Sequence, residues 1–350
     1  SGRQVRALIE ESRKNIADFF NCSPEEIIFT AGASEANNTV LKSSTTCCAS
    51  CNENRGHIIT SNIEHPSVLN TLKCLENQHI EVTQIKVNNK GIIDPADVEA
   101  AIRPDTMMIS IMYVNNEIGT IQPIHKIAEI AKKHHIPMHT DAVQAVGKIP
   151  IDLQDLPVDF LSMSGHKIYA PKGIGVLFKR KTTKSICPLI TGGHQENSMR
   201  AGTENTLGII ALGEAIRQCK LEMKENEARI GKLRDQLENG IKKNLDHIII
   251  NGDLAHRTYN ITNISFVNIE GESILLRLDM HGIAVSTGSA CSTGSLEPSY
   301  VITALEVDPE IAHSSIRFSL SRETTEEDID KTIKAVIETV KFLRRMSPIL

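Results

Sequence analysis

Four polar segments of the chain hold side chains able to do chemistry, and the types and spacing within each suggest what that chemistry is. Ser162-Met163-Ser164-Gly165-His166-Lys167 ends in a lysine. A lysine at the end of a buried strand costs desolvation unless it is paired or used covalently. Burial also lowers its pKa, which makes the amine a competent Schiff-base former; an exposed loop lysine beside a satisfied histidine is the alternative. In His139-Thr140-Asp141-Ala142-Val143-Gln144 a carboxylate could hold a proton on a heterocyclic nitrogen, or serve only as a helix N-cap. In Thr30-Ala31-Gly32-Ala33-Ser34-Glu35-Ala36-Asn37 small residues let backbone N–H groups approach a phosphate, whose charge a helix N-terminus favours. A tight turn capped by Ser34 would have the same pattern. Ser286-Thr287-Gly288-Ser289-Ala290-Cys291-Ser292-Thr293-Gly294-Ser295 reads as a mobile, solvated loop with an accessible thiol, whereas most lone cysteines are small core residues.

These segments need a scaffold, and short apolar runs alternating with helical patterns supply one. Strand candidates are Ile27–Thr30, His57–Thr60, Val82–Val87, Met107–Val114, Pro137–Thr140, Phe160–Ser162 and Val176–Lys179. Helix-like stretches lie between them, such as Ile124–His134 with Ile124, Ile127, Ala128 and Ala131 on one face. Before them, Val5, Leu8, Ile9, Ile16, Phe19 and Phe20 mark an amphipathic helix. The alternation predicts an α/β domain with a mainly parallel sheet buried on both faces, and such sheets bind ligands outside the carboxyl ends of their strands. After about residue 206 the texture changes. Leu207–Leu245 is rich in Glu, Lys, Arg, Ala and Leu and reads as long helix, broken near Gly231. Strands at Asn263–Val267 and Ser315–Leu320 and a last helix behind a Thr324–Glu327 capping box complete a smaller α+β unit. The expected division is a large domain over 1–206 and a small one over 207–350.

Composition narrows the class. With 350 residues, 40% hydrophobic and 23% charged, the chain is long enough for two domains. A formal charge of −5, no Trp and 3% aromatic residues argue against nucleic-acid binding. No apolar run approaches the ~20 residues of a membrane span. Eight cysteines lack the density of a secreted disulfide scaffold, which points to a reducing compartment. Cys47, Cys48 and Cys51 cluster, as a cysteine-rich polar loop or as a metal or redox site; a structural zinc needs four ligands, and no second pair lies nearby. No metal is expected.

Read together, the segments resemble the cysteine desulfurases of the NifS/IscS-like group, within the fold-type-I pyridoxal-phosphate (PLP) enzymes. The motifs are Ile63-Glu64-His65, Val114-Asn115-Asn116-Glu117-Ile118-Gly119, His139-Thr140-Asp141, Ser164-Gly165-His166-Lys167, Met199-Arg200-Ala201-Gly202-Thr203-Glu204-Asn205, Gly288-Ser289-Ala290-Cys291 and Ser314-Ser315-Ile316-Arg317. They run in the family's order along nearly the whole chain, interrupted mainly around residues 43–55.

The resemblance implies a role for each residue. Lys167 would hold PLP covalently and shuttle the substrate's Cα proton, and Asp141 would pair with the ring nitrogen. Gln144 would bond the ring's phenolic oxygen, Asn116 would fix ring and substrate, and His65 would stack on the ring and assist proton transfers. Ala33, Ser34, Ser164 and His166 would hold the phosphate, joined by Thr203 from the neighbouring subunit of a homodimer. Arg317 would clamp the substrate carboxylate. Cys291 would take sulfur from L-cysteine as a persulfide, leaving L-alanine, and pass it to an iron–sulfur scaffold or another acceptor protein. Cytoplasm is the expected compartment, with a mitochondrion or other organelle open.

Two departures bear on this. The family carries an N-terminal segment with an Asn-Ala-Thr-Thr turn ahead of the point where this chain begins, so the expectation is cofactor binding with poor turnover unless a partner or a separate N-terminal piece completes the site. The chain also ends without the tail that some relatives use to dock a scaffold. A selenocysteine lyase or an aminotransferase would share Lys167 and Asp141, though an aminotransferase has no need of Cys291. A truncated PLP fold acting as a sulfur-transfer partner or a metal-binding module is the non-enzymatic rival.

Overall fold

Ile27–Thr30 and His57–Ser61 are buried along their whole length, as strands covered on both faces must be. In the computed structural model, which describes residues 2–46, 56–184, 186–288 and 298–346, they are β1 and β2 of a seven-stranded sheet. The others are β3 (Glu81–Ile85), β4 (Thr106–Ser110), β5 (Met138–Asp141), β6 (Phe160–Ser164) and β7 (Gly175–Lys179). Their order is β1-β7-β6-β5-β4-β2-β3. Strands β3, β2, β4, β5 and β6 are parallel, and β7 runs antiparallel to both β6 and β1. The helices with them are α1 (Gly2–Phe20), α2 (Ala33–Thr46), α3 (Pro66–Glu76), α4 (Pro95–Ala100), α5 (Ile124–Lys133) and α6 (Thr206–Asn244). Val40, Leu41, Val68 and Leu72 from α2 and α3 pack with Ile58, Phe160 and Leu177 of the strands.

The remaining elements are β8 (Ile248–Asn251), β9 (Ile261–Phe266), α7 (Gly271–Met280), α8 (Tyr300–Thr303), α9 (Pro309–His313), β10 (Ser315–Ser319) and α10 (Glu326–Met346). Here β9 is central in an antiparallel three-stranded sheet. Leu237, Ile241, Ile264, Phe266, Ile316, Val336 and Val340 form its core.

The chain divides into two compact units, residues 1–85, 93–114 and 122–223 against 86–92, 115–121 and 224–350. The division falls inside α6 rather than at its start near 206, and it assigns Asn116 to the second unit. Three local expectations are corrected. Helix α6 runs unbroken through Gly231, where an added Cβ would meet nothing nearer than Tyr259 Cβ at 3.7 Å; one glycine costs only about 1 kcal/mol in a helix this long. The capping box of α10 sits one residue later than expected. Asp328 N–H donates to Thr325 Oγ1 (3.1 Å), and Thr325 N–H donates back to Asp328 Oδ2 (2.9 Å). Strand β8 was not foreseen, because Ile248–Ile250 adjoins the helical pattern and is too short for periodicity to separate from it.

Candidate active site

The carboxyl ends of β1, β2, β5 and β6 bring polar residues of the first unit together. Asp141 is the last residue of β5 and 5% exposed. Its Oδ2 accepts from Asn37 Nδ2 (2.8 Å) and its Oδ1 from Val143 N–H (3.0 Å). Each carboxylate oxygen keeps a further lone pair, enough to receive a proton-bearing ring nitrogen. Gln144 follows in the same turn, half-buried. Asn37 Oδ1, on the residue that donates to Asp141, is buried without a hydrogen-bond partner, unmet polar capacity of the kind that calls for an explanation.

Beyond β2, His65 is the N-cap of α3, its Nδ1 accepting from Ser67 N–H (3.1 Å). Burial is the main cause holding its pKa below the ordinary value; Asp141 pulls it up and the Lys167 ammonium pushes it down. His65 thus senses both Asp141 and Lys167, as three parts of one centre should.

Lys167 corrects the expected burial. The chain turns outward after Ser164 in a 3-10 turn, Gly165–Ile168, and both His166 and Lys167 are exposed. The buried lysine is Lys148, which no motif singled out. Its Nζ has no hydrogen-bond partner, and burial, helped by the Lys167 charge, lowers its pKa to about 8.

The anion end is built from backbone and small side chains. Ala33 opens the fourteen-residue α2, with Ser34 exposed beside it. Ser164 Oγ lies 2.9 Å from His166 Nδ1, and a Cβ on Gly32 would come within 3.7 Å of Ser164 Oγ. Gly175 permits this, since a Cβ there would stand 2.7 Å from Gly32 Cα and 2.6 Å from Met163 O. Arg200 pairs with Glu35 on α2 (3.0 Å), and Thr203 beyond it is exposed. These residues fit a phosphorylated heterocyclic aldehyde: donors and a helix N-terminus for the phosphate, a carboxylate for the ring nitrogen and an amine for the carbonyl.

His139 takes the plainer role. Its ring nitrogens bond the hydroxyls of Ser110 (2.8 Å) and Ser162 (2.9 Å), and burial pushes its pKa down to about 3. It is a neutral brace across β4, β5 and β6. Glu64 is the second titratable group that the motifs left without a role. Its Oε1 accepts from Ser61 Oγ (2.5 Å) and Met112 N–H (2.9 Å), and burial raises its pKa to about 8. Between its ordinary value of 4.5 and about 8 the folded chain keeps a proton that the unfolded chain has released, so this group's contribution to stability falls as pH rises. Glu64→Gln, which keeps the accepting oxygen, is expected to flatten the loss of stability between about pH 5 and about pH 8 in denaturant titrations. An unchanged slope would mean that Glu64 is ionised.

In the second unit, Arg317 on β10 donates from Nη1 to the Asn116 carbonyl (3.0 Å). The Asn116 loop is shaped by Asn115 Oδ1, which accepts from Glu117 N–H (2.8 Å) and Ile118 N–H (3.1 Å). Asn116 Oδ1 is buried without a partner. Ser286 bridges Arg317 backbone to backbone, and Ser299 Oγ donates to Glu117 Oε2 (2.5 Å). Cys291 lies between these anchors in sequence but outside the described residues, as do Cys47, Cys48 and Cys51. Among the described residues, no three His, Cys, Asp or Glu side chains gather as metal ligands, and no helix is long and apolar enough to cross a membrane.

The sequence pattern of the aminotransferase class-V family matches residues 1–332. Cysteine desulfurase IscS of Dictyoglomus turgidum is 48% identical over 347 residues, 99% of this chain and 87% of the relative. IscS of Methanosarcina thermophila is also 48% identical, over 99% of this chain and 85% of its own length. A solved NifS-like protein superposes with a TM-score of 0.90 at 35% identity, covering 98% of this chain and 90% of the other. SspA, solved in complex with cysteine, gives 0.80 at 37% identity, covering 91% and 88%. The chain therefore belongs to the aminotransferase class-V family, in its cysteine desulfurase group, whose cofactor is pyridoxal phosphate.

Proposed function

We propose that the chain takes sulfur from free L-cysteine, releases L-alanine and holds the sulfur as a persulfide on Cys291. The observation that carries this reading is the convergence of Asp141, His65 and Lys167 at the carboxyl ends of the large sheet, beside the N-terminus of α2. Bound pyridoxal phosphate supplies the electron sink that lets the substrate's Cα proton leave. Asp141 holds the proton on the ring nitrogen, Gln144 bonds the phenolic oxygen, and His65 covers the ring face. Ala33, Ser34, Ser164 and His166 hold the phosphate, with Thr203 contributed across a homodimer. Lys167 takes the Cα proton and later returns it. Arg317 binds the substrate carboxylate in the two-pronged geometry that guanidinium favours, and Asn116 orients ring and substrate. The Cys291 thiolate attacks the substrate sulfur: an S–S bond forms, the C–S bond breaks, and its electron pair stays with the carbon fragment that becomes alanine. The sulfur then passes to an iron–sulfur scaffold or a similar acceptor, in the cytoplasm, where thiols stay reduced.

The test is one round of reaction without reductant, followed by digestion and mass analysis of the peptides. Added sulfur is expected on the peptide containing Cys291. Sulfur on the peptide of Cys47, Cys48 and Cys51, or on none, would overturn the assignment.

A further inference from the structure

The His65 ring is held from its Nδ1 side by a chain of hydrogen bonds that ends on Asp141. Asn37 on α2 uses both amide hydrogens, one toward Asp141 Oδ2 (2.8 Å) and one toward Ser67 Oγ (2.9 Å). A carboxylate only accepts, so Asn37 must present its NH2 group and not its oxygen to Asp141. Ser67 Oγ, having accepted from Asn37, has its own hydrogen left for His65 Nδ1 at 2.8 Å. The same Nδ1 accepts from Ser67 N–H at 3.1 Å, and a backbone N–H cannot reverse its role. The backbone contact therefore requires a lone pair on Nδ1, which makes the Ser67 hydroxyl the donor in its own contact, and a neutral imidazole with a lone pair there carries its proton on Nε2.

We propose that Asn37 and Ser67 are positioning residues that lock His65 in the neutral, Nε2-protonated tautomer and tie it to Asp141, so that His65 meets the cofactor and substrate as a proton donor and not as a base. The proposal deepens the reading of this site as a pyridoxal-phosphate centre and rests on it. It narrows the work of His65, because a nitrogen that already carries its proton cannot collect the one from Cα, which leaves that step to Lys167. It also makes the Asp141 carboxylate and the His65 ring respond together to any change at Asn37. The charged groups acting on His65 are Asp141 from β5 and Lys167 from the turn after β6; they oppose each other, and burial sets the balance toward the neutral ring.

The experiment is nitrogen NMR of the full chain carrying labelled histidine, with and without added pyridoxal phosphate, and with His65→Gln to assign the signal. The wild-type chain is expected to show His65 protonated on Nε2 and bare on Nδ1 at neutral pH, with or without the cofactor. Ser67→Ala and Asn37→Leu each remove support for the neutral ring, and should raise the His65 pKa by up to about one unit. Ser67→Thr, which keeps the hydroxyl, should restore it. With cofactor present, Asn37→Leu should also move the pH at which the visible absorption changes, because Asp141 has lost a donor. A proton on Nδ1 in the wild-type chain would overturn the proposal without any variant needing to fold. So would folded Ser67→Ala and Asn37→Leu chains that titrate as wild type. If instead the tautomer is as stated but no pyridoxal phosphate binds, the reading of the site has failed and the hydrogen-bonded lock has not.

Discussion

Lys167→Ala is expected to abolish the visible absorption of the chain mixed with pyridoxal phosphate, and to lower cysteine turnover by about a thousandfold or more. In the proposed mechanism the covalent anchor and the base at Cα are the same amine, so one substitution removes both. Asp141 and His65 would remain, with the Asn37 and Val143 contacts to Asp141 intact, and the variant should still bind the cofactor weakly without the colour of a lysine-held aldehyde. Lys148 is the natural control. Its amine, lowered to about 8, is poised for carbonyl chemistry, but it is buried with Nζ unpartnered, whereas Lys167 is exposed on the turn directly after Ser164. A Lys167→Ala chain that keeps the normal spectrum, and loses it only on further change of Lys148, would move the anchor to Lys148.

Cys291→Ala is expected to leave that absorption unchanged and to reduce alanine release by about a thousandfold or more, nucleophile removal in a covalent enzyme costing up to about a millionfold. In the proposed mechanism the thiol acts only after the Cα proton has gone, so cofactor binding should not depend on it. Ser286, ahead of it in sequence, is paired to Arg317, and Ser299, behind it, is tied to Glu117. Ser286 and Ser299 are thus both tied to elements beside the proposed carboxylate clamp within one unit. Absorption and alanine release would be measured on the same sample. Native alanine release by the variant would remove Cys291 from the mechanism.

Much of this was legible in the sequence for a physical reason. Strands buried on both faces read as short, apolar-rich runs, as Ile27-Ile28-Phe29 does in β1, and the chemistry sits at strand ends, with Asp141 closing β5 and Ser164 closing β6. Three things were not legible. Nothing in the Ser164-Gly165-His166-Lys167 pattern tells that a 3-10 turn carries Lys167 outward; the space around Gly165, where a Cβ would stand 2.9 Å from Ile174 Cγ2 and 3.1 Å from Ala170 Cβ, is closed by residues outside the pattern. Asn37 and Ser67 are 30 residues apart in sequence, and only the packing of α2 against α3 makes them a relay to Asp141. Glu64 stood in a recognised motif, yet its protonation depends on burial and on Met112 from a different strand end. Local pattern locates strand ends; side-chain partners across strands and helices come from the fold.

The most direct test of the central claim is to supply the pyridoxal-phosphate-loaded chain with L-cysteine and a thiol reductant, and to measure alanine and sulfide together over time. Cysteine desulfuration predicts the two in equal amounts, both falling together in Lys167→Ala. Sulfide accompanied by pyruvate and ammonia in place of alanine, or consumption of cysteine with no sulfide, would contradict it.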